Sequence, residues 1–423
     1  MNYLPEGVVE LILSQLKNAR DIASSTCVSK QWQSCVPYVP SLYFPRAVFD
    51  YSQRGNNKGS GYDATIGRMI AEAIRLEELV IYCPFNPSNL GTWLNLRADT
   101  LRVLELRMDG FGDKPGPDGS GTQLDCIRVA KRLELLKIWG VSLTAAPKWG
   151  VLKQLKSLEI VGATVRDGVL EEVVHASPNL VNLVLLSCEG VGLVKFELER
   201  LERCRLDFLG QGNIALFLGA PRLEDLYVQG FSSIWVKPNH RIKTLSIAKN
   251  HGRVYNVEMG KLAEVQSLYL RGIQWSWSAI SSVLQYASDV THLTMKVEFC
   301  GNSETLLPFP EVDLVNFFNS HPKLLKFDIH GAMFASFCQK NSLAKVNSNF
   351  VIPCLEEVSV IVRSALNAEQ KLNALESLLT HTPKLRKMVI RVSQMKNCNE
   401  AADDFFEEVC KFRLMNHKVV CVE

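Results

Sequence analysis

The chain has 423 residues, 47% hydrophobic, 22% charged and 9% aromatic. That balance excludes a disordered or collagen-like polymer, and no window of about 18 uncharged apolar residues offers a membrane span. Lys and Arg number 47 against 44 Asp and Glu, and a net charge of +3 at this size does not imply nucleic acid.

The opening residues carry neither the basic stretch nor the apolar run of a secretory leader. The 12 Cys are scattered singly with no C-x-x-C pair, so reduced thiols in the cytoplasm or nucleus are expected. Pro5 suits the first turn of a helix. Leu4, Val8, Ile12 and Leu16 recur every four residues, Val9 and Leu13 form a second stripe, and Leu11 lies off both. A helix apolar over this much of its circumference needs cover on more than one side. Asp21 is the expected cap of a second short helix over 22–27. A third is expected over 28–36, ending before Pro37, with Val28 and Trp32 on one face. About forty residues cannot bury that apolar surface alone, so the segment docks on the rest of the chain, on another protein, or on both.

Beyond it one phrase recurs: apolar-x-x-apolar-x-apolar. It runs from Leu76-Leu79-Ile81 through Leu101-Leu104-Leu106, Leu180-Leu183-Leu185 and Ile242-Leu245-Ile247 to Leu385-Met388-Ile390, 13 copies in all, with a weaker one at Val39-Leu42-Phe44. The mean step is about 26 residues, inside the leucine-rich-repeat range. The end of the phrase is a short strand with two side chains on one face. One unit cannot bury that face, whereas stacked units share a continuous core and pair into a parallel sheet. Proline turns precede several phrases, as in Ser177-Pro178-Asn179-Leu180 and His321-Pro322-Lys323-Leu324. Segments 167–175, 279–287 and 372–379 have helical spacing. The steps vary from 19 to 34 residues and the usual Asn after the strand is mostly missing, so an imperfect solenoid with some 3₁₀ or extended outer segments is expected. The fold class is therefore α/β: a leucine-rich-repeat solenoid over 46–423, preceded by a three-helix module over 1–45. A helix over 401–412 and a strand over 418–422 read as its C-terminal cap.

Leu4-Pro5-Glu6, Val8, Ile12-Leu13, Leu16, Asp21-Ile22, Cys27-Val28-Ser29-Lys30 and Trp32 resemble the F-box pattern. With the repeats, the whole chain resembles the plant F-box/leucine-rich-repeat (F-box/LRR) family. Gly7 departs from the pattern, which usually has an acidic residue there. The resemblance implies a non-catalytic substrate receptor of an SCF-type cullin-RING ubiquitin ligase. It would bind a Skp-type adaptor, and through it cullin, by way of Leu4, Pro5, Val8, Ile12, Leu16, Val28 and Trp32, with Trp32 the expected hot spot by residue type. A scaffold acting without the ligase, or a hormone receptor of the same family type, are the alternatives.

Four long segments follow strand phrases: 82–95, the Gly/Pro-rich 107–122, 299–310 and 331–350. As insertions on one rim of a solenoid, they are the expected partner-recognition loops. Phe85, Trp93, Arg107, Phe299 and Phe334 are the candidate contacts with a protein substrate. In some related plant receptors a hormone and an inositol phosphate sit against basic strand residues. The counterparts here, Arg107, Lys137, Arg205, Arg271, Lys296 and Arg391, are expected on no common row, and no ligand is expected. Phosphate-loop, dinucleotide, H-E-x-x-H and G-x-S-x-G motifs are absent from the sequence, so no catalytic residue, metal or cofactor is expected. Nor is a nucleic-acid or membrane partner. His175, His321 and His381 recur just before the proline turns, which gives them a structural role.

Overall fold

In the computed structural model, residues 4–46, 60–108, 122–210, 212–301, 307–343, 346–347, 349–392 and 399–423 are described. Every repeat phrase becomes a strand. The chain divides into two compact units, one of Met1–Leu201 with Arg205–Leu209, the other of Glu202–Cys204 with Gly210–Glu423.

In the first unit, strands Ser41–Phe44, Glu78–Ile81, Val103–Arg107, Leu135–Trp139, Ser157–Val161 and Asn182–Cys188 pair in chain order, all parallel. The register joins Leu42, Leu79, Leu104, Leu136, Leu158 and Leu183 in one row. All six are buried, as are Leu76, Leu101, Leu133, Leu155 and Leu180, which enter the core from the turn before each strand. Each such leucine contributes roughly 2 kcal/mol of apolar burial, and each depends on the next repeat to cover it.

Ahead of the strands come α1 (Glu6–Gln15), α2 (Ala19–Ser25) and α3 (Lys30–Cys35), followed by a 3₁₀ turn, Val36–Tyr38. Two caps differ from the sequence expectation. Asn18, not Asp21, caps α2 by accepting from the Arg20 N–H at 3.0 Å. Ser29 caps α3 by accepting from the Trp32 N–H, which leaves Val28 outside the helix and off the face that carries Trp32. Pro37 sits within the 3₁₀ turn rather than beyond the helical stretch. Val9 and Leu13 of α1 and Ile22 of α2 are fully buried. The Tyr43 N–H donates to the Lys17 carbonyl at 2.7 Å and Lys17 Nζ lies 2.9 Å from Glu78, so the turn before α2 covers the first strand. Gly7 is exposed in α1 and a Cβ there would meet nothing within 4 Å. Gly7→Ala should therefore raise stability by about 0.5–1 kcal/mol, read as a higher denaturant midpoint.

In the second unit, strands Asp225–Gln229, Thr244–Val254, Ser267–Trp275, His292–Cys300, Lys326–His330, Glu357–Val362, Lys387–Val392 and Val420–Val422 are again parallel and in chain order. Leu226, Leu245, Leu268, Leu293, Phe327, Val358, Met388 and Val420 share a buried row. The return segments change along the chain. Early ones are strands, Ile214–Gly219, Phe231–Val236 and Asn256–Glu258, which pair with one another. Later ones are helices: Trp277–Tyr286, Leu314–Ser320, Gly331–Phe337 and Ala368–Thr380. A terminal helix, Asn399–Met415, precedes the last strand. The whole is a mixed α/β protein with a large parallel sheet content.

Two of the three histidines before proline turns hold backbone. His321 places Nδ1 2.8 Å from the Phe317 carbonyl and Nε2 3.2 Å from that of Leu284, and His381 Nδ1 lies 2.9 Å from the Phe350 carbonyl. His175 is exposed, and among the described residues its side chain makes no hydrogen bond.

Candidate protein-interaction surfaces

The periodicity of α1 divides its apolar residues between inside and outside. Val9 and Leu13 face the core. Leu4, Val8 and Ile12, at 43%, 39% and 37% exposure, form a stripe on the other side, and Leu11 beside them is 63% exposed. Val28, in the turn into α3, is 59% exposed, and Gln31 Nε2 donates to the Leu4 carbonyl at 2.5 Å, tying the first turn of α3 to the start of α1. Pro5 is exposed, while Leu16 and Trp32 are half-buried. Leu11 was not among the expected contacts, although its position off both stripes is the signal that it would stay in solvent.

Three of the five expected substrate contacts are core residues. Phe85 and Trp93 are buried and lie 5.8 Å apart, ring to ring. Trp93 belongs to the helix Leu90–Leu96, which puts Leu90, Trp93 and Leu94 on one buried face. Gly67 makes room for it: a Cβ there would stand 2.8 Å from Trp93 Nε1. Phe334 is buried in the helix Gly331–Phe337 together with Met333 and Phe337. Segments 82–95 and 331–350 thus carry helices whose apolar spacing competes with a loop reading. Phe299 is exposed at the end of its strand, and beyond it Cys300 and Leu307 exchange backbone hydrogen bonds at 2.9 and 2.8 Å. Arg107 ends the strand Val103–Arg107 half-buried. Segment 109–121, which contains most of the Gly/Pro-rich expectation, lies outside the described residues.

The basic strand residues are more ordered than expected. Arg271 and Lys296 are register partners, and Arg391 takes the matching position three strands further on, in register with Ile361 and His330. Among the described residues no cluster of three or more His, Cys, Asp or Glu could hold a metal, and no helix is long and apolar enough to cross a membrane. The described cysteines are free thiols. Burial pushes Cys83, Cys204 and Cys338 up to about 12, which keeps them protonated and unreactive at neutral pH.

Fold and surfaces together define an α/β repeat protein with a group of exposed apolar side chains, Leu4, Val8, Leu11, Ile12 and Val28, at its N-terminal helices. The chain is 49% identical to F-box protein At1g10780 of Arabidopsis thaliana over the full length of both. It is 26% identical to F-box/LRR-repeat protein At3g26922 of Arabidopsis thaliana over 55% of this chain and 75% of that protein. It is 25% identical to F-box/LRR-repeat protein At1g67190 of the same plant over 55% of this chain and 50% of that one. No family model matches the sequence. The chain belongs to the F-box protein family.

Proposed function

We propose that this protein is the non-catalytic substrate-recognition subunit of an SCF-type cullin-RING ubiquitin ligase. In this reading α1–α3 are the F-box and dock a Skp-type adaptor, and the leucine-rich repeats hold a protein substrate. The observation that carries it is the apolar surface of Leu4, Val8, Leu11, Ile12 and Val28, which the rest of the described chain covers only in part. Burying it would release roughly 25 cal/mol per Å2, partly offset by lost freedom on association. Pro5 would complete the surface, and Leu16 and Trp32 would meet the adaptor by their solvent-facing edges. Membership of the F-box family supports the same partner class.

The test is capture of the chain by a plant Skp-type adaptor on a column. Ile12→Glu with Val28→Glu should reduce capture at least a hundredfold, since two charges would be buried without partners. Both side chains are solvent-exposed, so the thermal midpoint should hold. Wild-type protein that captures no adaptor would rule the reading out.

A further inference from the structure

On the outer face of the second unit's sheet, opposite the buried rows, a groove of about 320 Å3 crosses five successive strands, Ser267–Trp275 to Lys387–Val392. Its floor is a single registered row that includes Tyr269, Thr294, Asp328 and Ser359. The Ser359 hydroxyl on this row has no hydrogen-bond partner among the described residues, but it is shut away from solvent and so is not itself a contact point. Lys326 and Lys387 line one side and Arg391 the other, and the register sets Lys296 and Arg271 on the Arg391 row, just beyond the lining.

Three carboxylates answer them. Glu357 lies 3.0 Å from Lys326, Asp328 lies 3.4 Å from Lys296, and Glu423 lies 2.8 Å from Arg391. Arg271 donates to the Ser246 hydroxyl at 3.0 Å, and neither it nor Lys387 has a carboxylate partner among the described residues. Groove and border together thus keep an excess of two positive charges, with the unpaired Lys387 and Arg271 at diagonally opposite corners. Four inter-strand steps span roughly 19 Å at about 4.8 Å each, the length of about six extended residues.

We infer that this groove is the docking site for an extended, acidic segment of the protein partner, lying across the strands with carboxylates toward Arg271 and Lys387. The inference rests on the substrate-receptor reading and names the chemistry of the segment it would take. A carboxylate or main-chain carbonyl of the segment would accept from Thr294 or Tyr269 on the floor. A nucleic-acid strand fits less well: Asp328 and Glu357 sit in the path of its phosphates, and the rings the lining offers for stacking are those of Tyr269 and His292.

The probe is a fluorescein-labelled ten-residue peptide of alternating Glu and Ser, titrated with the full chain and read by anisotropy. Binding should weaken steeply with salt and vanish when Gln replaces Glu in the peptide. Arg271→Glu with Lys387→Glu should lower affinity at least tenfold. Glu357→Gln, which removes a repelling carboxylate and frees Lys326, should raise it several-fold, a gain that misfolding would not produce. The inference is overturned if wild-type protein does not bind, or if the charge reversals leave binding unchanged. It is equally overturned if a ten-nucleotide single-stranded RNA or inositol hexakisphosphate displaces the peptide at lower concentration than unlabelled peptide does. Adaptor capture by the same variants keeps the two readings apart. Failed peptide binding with intact capture removes the groove alone, and failed capture removes the ligase reading.

Discussion

Subtracting the unfolding free energy of Lys249→Met from that of the wild-type protein should give a difference that rises by about 3 kcal/mol from pH 7.5 to 10.5. The reason is a lysine with no exposed surface. Lys249 lies in the strand Thr244–Val254, points into the repeat core and donates from Nζ to the Gly230 carbonyl at 2.6 Å and the Gly212 carbonyl at 3.4 Å. No carboxylate pairs with it among the described residues, and desolvation lowers it from its ordinary 10.5 to about 8. Below about 8 the ammonium is charged in both states, and the fold carries the full cost of burying it. Between about 8 and 10.5 the unfolded chain binds the proton and the folded chain does not, so stability rises with pH. Above that range both states are neutral and the gain is complete. The methionine variant has no such proton, so subtraction isolates Lys249 from every other group that titrates at high pH. Equilibrium urea unfolding at half-unit steps would show the slope, and a flat difference would mean that the ammonium is solvated. Lys249→Glu should be far worse, about 5 kcal/mol less stable at neutral pH, because a carboxylate would face two carbonyl oxygens with no donor.

That lysine marks the limit of what the sequence reveals. The strands were legible because each repeat pairs one-for-one with the next. Leu245, Leu268 and Leu293 keep a single register, so a local pattern determines a long-range pairing. The same parity, continued from Leu245 and Ile247 to Lys249, points the lysine inward. A basic residue after a strand otherwise reads as solvent-facing, and only the neighbouring turns supply the carbonyls that accept from it. Phe85, Trp93 and Phe334 failed in the opposite sense: length between strands suggested loops, whereas apolar spacing made helices that carry Trp93 and Phe334 inward, and Phe85 packs on Trp93. The helix Ser60–Glu72, with Ile66 and Ile70 buried one turn apart, carried the same signal and drew no expectation. On α1 the two stripes separated core from surface, since Val9 and Leu13 are buried while Val8 and Ile12 are not. The basic groove was invisible for a different reason. Arg271, Lys326 and Lys387 are distant in sequence, and only the strand register brings them to one face.

Gly272→Ala should destabilise the second unit by about 3–5 kcal/mol, the opposite sign to Gly7→Ala. Gly272 is the register partner of Lys249, and the ladder slips just beyond them, between Lys249 and Arg253. Its φ is +142°, a conformation that a side chain rarely adopts, and an added Cβ would stand 2.5 Å from the Lys249 carbonyl oxygen and 3.1 Å from Trp275 Nε1. Neither neighbour can yield. The oxygen is backbone, and Trp275 is fully buried with Nε1 donating to the Arg271 carbonyl at 3.2 Å. The strand Ser267–Trp275 must therefore move away from Thr244–Val254, and Arg271 moves with it, because it adjoins Gly272 and bonds across to Ser246. The variant should lose acidic-peptide binding together with stability, while adaptor capture, which depends on α1–α3, persists. Urea unfolding followed by tryptophan fluorescence gives the first quantity and the anisotropy titration the second. Unchanged stability would show that the two strands can separate without loss. Lost stability with unchanged peptide affinity would show that Arg271 does not form part of the groove's charged side.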